Sequence, residues 1–169
     1  MSERNQDQAK RAFGTQFQTK ADNNRWVTVA EMAEITGPGM EAEEIDTTTH
    51  DALEGYRTFV QGLKDAGEVE QTLNFNMKIK SHMDALNDLH KGTLRPRRIV
   101  FPDAEAQEER SYMEFMAFAK GFEPEFDIED VIKATITFKV SGKPKFVVGG
   151  ENSTASEEVT TGNTEESGV

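Results

Sequence analysis

Apolar and polar residues alternate with a period of two along several stretches of this chain, the spacing of a strand with one buried face. Val69, Leu73, Phe75 and Met77 fall on one side with Gln71, while Glu68, Glu70, Thr72, Asn74 and Asn76 fall on the other. Residues 131–140 repeat the pattern, with Ile132, Ala134, Ile136, Phe138 and Val140 inward and Lys133, Thr135, Thr137 and Lys139 outward. Ser141-Gly142-Lys143-Pro144 then turns the chain into a short edge at Phe146-Val147-Val148. In the strand over residues 112–122, Met113, Phe115, Ala117 and Ala119 alternate with Tyr112, Glu114, Met116 and Phe118, apolar on both faces apart from Glu114, which suits a central strand or one covered by another chain. Ile99-Val100-Phe101 is a shorter strand closed by Pro102.

One stretch changes period. Ser81 stands three residues before Asp84, as in a capping box, and Met83, Leu86, Leu89 and His90 follow at helical spacing up to Gly92, a suitable stop. This predicts one helix of about ten residues whose apolar stripe covers an open end or face of the sheet system. Residues 26–36 fit two templates. Thr28, Glu31 and Gly37-Pro38 imitate the start and stop of a helix, whereas Val27, Val29, Ala33 and Ile35 alternate as a strand interrupted by Glu31. Gly37-Pro38-Gly39 turns the chain into a strand over 41–48 that gathers Glu41, Glu43, Glu44 and Asp46.

Between that strand and the one starting near Gly67 lies an excursion, residues 50–65, too long for a hairpin turn. It opens on His50-Asp51 and carries Leu53, Tyr56, Phe59, Val60 and Leu63 among charges such as Arg57 and Lys64, with Gly55, Gly62 and Gly67 as joints. Apolar side chains of this size on a loop need a partner, and loops beyond about 12–15 residues are usually functional or disordered. Residues 1–25 form a polar arm in which Phe13 and Phe17 are the large apolar groups after Met1. It is either a loose terminus or an arm whose two phenylalanines anchor it on a neighbouring subunit. Residues 150–169, rich in Ser, Thr, Glu and Gly, bury too little to fold and read as a disordered acidic tail. The folded domain is thus expected over 26–149.

A chain of 169 residues suits one domain. Its 31 acidic and 19 basic residues give a net charge of −12, which argues against a protein that grips nucleic acid by its phosphates, though not against one that lets DNA pass. Without cysteine there is neither a disulfide nor a thiolate, so stability must come from packing or assembly. The polar N-terminus lacks a signal-peptide core and no run approaches the ~20 apolar residues of a membrane span, so synthesis in a cytoplasm without secretion is expected. His50-Asp51 has no nucleophile at a recognisable spacing, and His82 and His90 lie eight apart, too far for one metal. The carboxylates of residues 121–130 lack the order of a calcium loop and read as a solvated turn. Arg95, Arg97 and Arg98, with no interleaved aromatics, are expected to pair with acidic strands of the same or an adjoining subunit. No enzyme, cofactor or metal is expected.

The stretch IDTTTHDALEGYRTFVQGLKDAGEVEQTLNF at 45–75 resembles the major tail tube proteins of long-tailed bacteriophages, as do RIVFPD at 98–103, GFEP at 121–124 and VIKATITFKVSGKPKFV at 131–147. The matches bracket roughly 26–148 in order. The resemblance implies a mainly β fold, an antiparallel β-sandwich or barrel with one short helix, a long inter-strand loop and flexible termini. It also implies strands that join those of neighbours into hexameric rings, stacked head to tail around a lumen that conducts double-stranded DNA. Tape measure protein and other tail proteins are then the further partners, and the virion tail is the location. On this reading Glu68 and Glu70 line the lumen. The excursion, through His50, Asp51, Leu53, Tyr56, Arg57, Phe59, Val60, Leu63 and Lys64, contacts the adjacent ring. The competing readings are a distal-tail or tail-completion ring, and a monomeric β-sandwich binding module.

Overall fold

The computed structural model describes residues 12–50, 55–128 and 131–149. In chain order they form β1 (Gln16–Lys20), β2 (Trp26–Thr28), β3 (Met32–Thr36), β4 (Glu41–Asp46), β5 (Phe59–Asp65), β6 (Glu68–Asn74), α1 (Lys80–Lys91), β7 (Arg95–Val100), a 3-10 turn (Gln107–Glu109), β8 (Tyr112–Glu125) and β9 (Lys133–Val147). The expected mainly antiparallel β fold with one helix is what forms. A seven-stranded sheet has the order β2-β1-β7-β8-β9-β6-β3, and β4 and β5 make a separate ribbon. Period-two alternation sets the register. Val69 lies opposite Phe138, Gln71 opposite Ile136 and Leu73 opposite Ala134 on the inner face, whereas Thr72 and Thr135 meet on the outer face and share a hydrogen bond of 3.1 Å.

Chain connectivity forces the sheet to roll. β2 and β3 stand at opposite ends of the strand order, yet only Val29, Ala30 and Glu31 separate them. The edges of a flat seven-stranded sheet would lie about 29 Å apart, and this link spans at most about 14 Å. Ring contacts report the same curvature. Phe17 on β1 stacks on Phe138 of β9 at 5.4 Å although β7 and β8 lie between those strands in the sheet. β8 and β9 make the bend through register shifts at Glu114/Met116 and Ala119/Gly121, because a bulge adds residues to one strand and turns it. The interior so enclosed holds Phe17, Val69, Leu73, Phe115, Ile136 and Phe138.

Four sequence expectations change. Phe17 is fully buried on β1, so the strand system starts well before residue 26 and Phe17 is a core residue instead of an arm anchor. Its polar neighbours Gln16 and Gln18 hid the strand. In residues 26–36 the strand reading holds, but as two strands on opposite edges, broken where Glu31 adopts φ 55. β8 runs on to Glu125, five residues into the turn expected over 121–130. β9 passes straight through the expected Ser141–Pro144 turn, with Gly142 at φ 83, because the extra residues are absorbed as a bulge opposite Glu114 and Met116. Ile132 is half exposed just before that strand.

The helix lies where a cover was expected, packed against β8 and ending at Gly92 in the left-handed region. There the Gly92 and Thr93 amides donate to the Leu89 and Asp88 carbonyls, satisfying the last turn. Its start and its buried face differ from the expectation. Ile79 is the N-cap with no side-chain capping bond, and the buried residues are His82, Ala85 and Asp88, with Leu89 alone of the expected stripe packed against the core.

Candidate functional site

The β4-β5 ribbon leaves the body of the domain at a tightly built base. Asp65 accepts hydrogen bonds from the Gly67 amide at 2.8 Å and from Lys139 Nζ at 2.8 and 2.9 Å. These bonds, the Lys139 ammonium first, hold its carboxyl below the ordinary 3.8. The Val140 amide donates to the Gly67 carbonyl at 3.1 Å, and Ala66 is buried between. Gly67 at φ 72 lies so near Gly39 that a side chain would collide with the Gly39 carbonyl. Gly37 is similarly pressed on the Glu68 carbonyl. Only glycine satisfies both the left-handed backbone and the close approach at these two points.

Beyond that base the ribbon touches little of its own chain. Half of the expected excursion is therefore a strand, since β5 pairs with β4 from Asp46-Phe59 to Glu41-Asp65. At the far end the Thr47 amide donates to the Thr58 carbonyl and the Thr58 amide to Thr48 Oγ1, while Asp46 accepts from the Thr48 amide. Phe59 and Gln61 share one face, while Ile45 and Val60, directly opposed, share the other with Gly62, and the register shift between Ala42 and Glu44 brings Leu63 to that second face. Both faces are exposed, with Leu63 83%, Tyr56 73% and Phe59 53% accessible. Burying one such side chain is worth about 1.5–3 kcal/mol. Of the other excursion residues, His50, Arg57 and Lys64 are exposed, and Arg57 pairs with Asp46 at 3.9 Å. Asp51 and Leu53 lie outside the described residues.

Glu68 and Glu70 stand on the outer face of the sheet, Glu70 exposed and Glu68 half-buried. Glu68 accepts from Lys120 Nζ at 2.5 Å. Lys139 and Phe118 occupy the same outer row, and Glu123 lies across Thr135 from Thr72. The face is thus a mixture of ion pairs, hydroxyls and carboxylates. Phe13 is 93% exposed, where a docking arm would leave it.

The arginines find a partner that sequence reasoning missed. Asp88, buried on α1, accepts from Arg95 Nε at 2.7 Å and from Arg97 at 2.9 Å, and Arg95 also reaches Asp22 at 2.5 Å. Arg97 is 1% exposed, lies 4.1 Å over the Phe138 ring and donates to Thr19. Burial pushes its guanidinium down to about 10, against the pull of Asp88. Arg98 instead stacks over Trp26 and Tyr112 on the outer side. His82 is internal as well, since Nδ1 accepts from the Asn76 amide and Nε2 faces the Ala30 carbonyl, an arrangement that selects the neutral ring protonated on Nε2. A cavity of about 290 Å³ between α1 and the inner face is lined by Arg97, Gln71, Asp88 and Asp84. Arg97 Nε and Gln71 Nε2 have no hydrogen-bond partner among the described residues. Among those residues no group of His, Asp and Glu has metal-binding geometry, and no helix is long and apolar enough to cross a membrane.

No curated protein matches this chain in sequence. Solved structures match in fold. The tail of an empty gene transfer agent particle, determined with C6 symmetry, aligns with a TM-score of 0.69 at 12% identity, covering 83% of this chain and 100% of the other. The SPP1 tail tube aligns at 0.61 with 14% identity over 90% and 88% of the two chains. A sheath-tube complex of an extracellular contractile injection system aligns at 0.65 with 12% identity over 84% and 93%. The profile of the lambda phage tail tube protein matches residues 11–147, most of the chain and all of its described strands, so the chain belongs to the lambda phage tail tube protein family, structural proteins that build the tail tube of a virion.

Proposed function

We propose that this protein forms hexameric rings that stack head to tail into a tube through which double-stranded DNA leaves the particle, and that it has no enzymatic role. The observation that carries the reading is the anchored ribbon. A rigidly based strand pair with apolar residues exposed on both faces is a surface for other chains. Six-fold symmetry is that of the gene transfer agent tail whose fold this chain shares. Tyr56, Phe59 and Leu63 are the anchors between adjacent rings, with His50, Arg57, Val60 and Lys64 around them and Asp51 and Leu53 in the same excursion. Phe13 is the arm residue that docks on a neighbour.

Within the bore, Glu68 and Glu70 keep the wall from trapping the cargo. A protein making about 6–10 phosphate contacts holds DNA strongly, whereas carboxylates repel phosphates over a Debye length of about 8 Å. Pairing Glu68 with Lys120 and Lys139 with Asp65 also ties up cations that would otherwise face the DNA. Tape measure protein and the remaining tail proteins are the other partners. Light scattering followed by negative-stain imaging of the purified protein tests the assembly, with tubes expected. Isolated rings that never lengthen would identify a distal-tail or completion protein, and persistent monomers a binding module. Changing Phe59 and Leu63 together to Ser is expected to leave a folded chain that makes no tubes; tubes at wild-type yield overturn the role of the ribbon.

A further inference from the structure

A second exposed apolar cluster lies at the other end of the sheet. The ribbon joins β6 at its first residue, through Ala66 and Gly67. At the last residue of β6, Asn74 pairs with Lys133 and the Phe75 amide donates to the Ile132 carbonyl at 2.7 Å, which places the β8-β9 turn there. Six strand steps of about 3.3 Å separate the two ends, roughly 20 Å. At that turn Phe126 and Ile128 are 74% and 102% exposed, Ile132 is half exposed, and Met77, just past β6, is 71% exposed. The sequence disguised this cluster as an acidic turn because Asp127 and its neighbouring carboxylates flank the apolar residues.

We infer that the β8-β9 turn, through Phe126, Ile128, Ile132 and Met77, is the surface that receives the β4-β5 ribbon of a second copy of this chain in the adjacent ring. The inference rests on the proposed stacking and names its other half. Open head-to-tail propagation needs two unlike patches on one chain, facing opposite ways along the axis. Ribbon on ribbon would close into a dimer and stop. The ribbon and the turn sit at opposite ends of one strand, both are apolar, and neither is covered by its own domain. The remaining exposed apolar pair on β8, Met116 and Phe118, lies in mid-sheet, where it cannot serve as an end.

The absence of cysteine makes the test direct. Leu63→Cys and Ile128→Cys variants are mixed, assembled and oxidised. A covalent two-chain species is expected from the mixture and from neither variant alone, since a disulfide requires Cα atoms within about 7 Å. Tubes without that cross-link, or a cross-link within one variant alone, would overturn the inference and leave tube formation standing. If the wild-type protein makes no tubes, it is the proposed function that fails. Should the cysteine variants not assemble, electron cryomicroscopy of wild-type tubes decides: Leu63 and Ile128 of different chains are expected within about 4.5 Å, and a remote placement refutes the contact. Phe126→Ser with Ile128→Ser is expected to cut tube yield at least about tenfold, as loss of a central anchor pair does, with an unchanged monomer circular dichroism spectrum.

Discussion

Asp88 illustrates how one residue carries more than its position in a pattern suggests. It is buried with Arg97, so removing it leaves the Arg97 guanidinium without its carboxylate in a medium that cannot solvate it. Asp88→Ala is expected to cost about 3–5 kcal/mol in urea unfolding, and Asp88→Leu combined with Arg97→Met markedly less, because the double change removes both charges. Phe17→Ala should cost about 3–5 kcal/mol by the same measurement, as a core aromatic does, while Phe13→Ala stays within about 0.5. Asp65 gives a pH prediction. Its folded-state pKa lies below 3.8, so its anchorage of the ribbon base is complete above that value and is lost as pH falls through the lower, folded-state one. An NMR titration is expected to place the Asp65 midpoint below 3.8, with protection of the Gly67 amide lost over the same range; a midpoint above it contradicts the Lys139 contact. None of these roles was legible in the residues alone. Phe17 sits among glutamines, and Asp88 interrupts an apolar helix pattern, so both depend on what lies across the interior.

At the scale of elements, period-two alternation located β6 and most of β9, since one-sided burial writes its signature directly along the strand. It misjudged what happened at their ends. Gly142 and Pro144 have the composition of a turn, yet with β8 alongside they become a bulge. The β5 half of the ribbon was read as a loop because it buries neither face in its own domain, and burial on one face is what alternation reports, whereas β4 falls within the strand expected over 41–48. That same exposure predicts its behaviour. In hydrogen exchange on the monomer, amides of β4 and β5 are expected to exchange well before those of β6 and to gain protection on tube formation. Equal protection before and after assembly would place the ribbon outside every contact. Gly67→Ala is expected to destabilise the domain by more than about 1 kcal/mol, because a Cβ at φ 72 also meets the Gly39 carbonyl.

For the whole molecule the governing quantity is charge set against shape. A net charge of −12 keeps chains apart at long range, while the apolar ribbon and turn favour contact at short range. Raising ionic strength should therefore speed assembly, which turbidity or light scattering measures; slower assembly in salt would mean that ion pairs drive it. Replacing Glu68 and Glu70 by Lys is expected to retard DNA release from particles, and ejection at the wild-type rate would remove both from the bore. Residue order alone determined the class of fold, the one helix, the absence of thiol chemistry and the family, because alternation, composition and motif order are local properties of the chain. Tertiary structure decided the rest: that the sheet rolls until a three-residue link joins its edges, that an arginine and an aspartate meet inside it, and that two exposed apolar clusters lie at opposite ends of one strand. Those are relations between residues far apart in the chain, set by which surfaces water must be driven from, and no short stretch of sequence carries them.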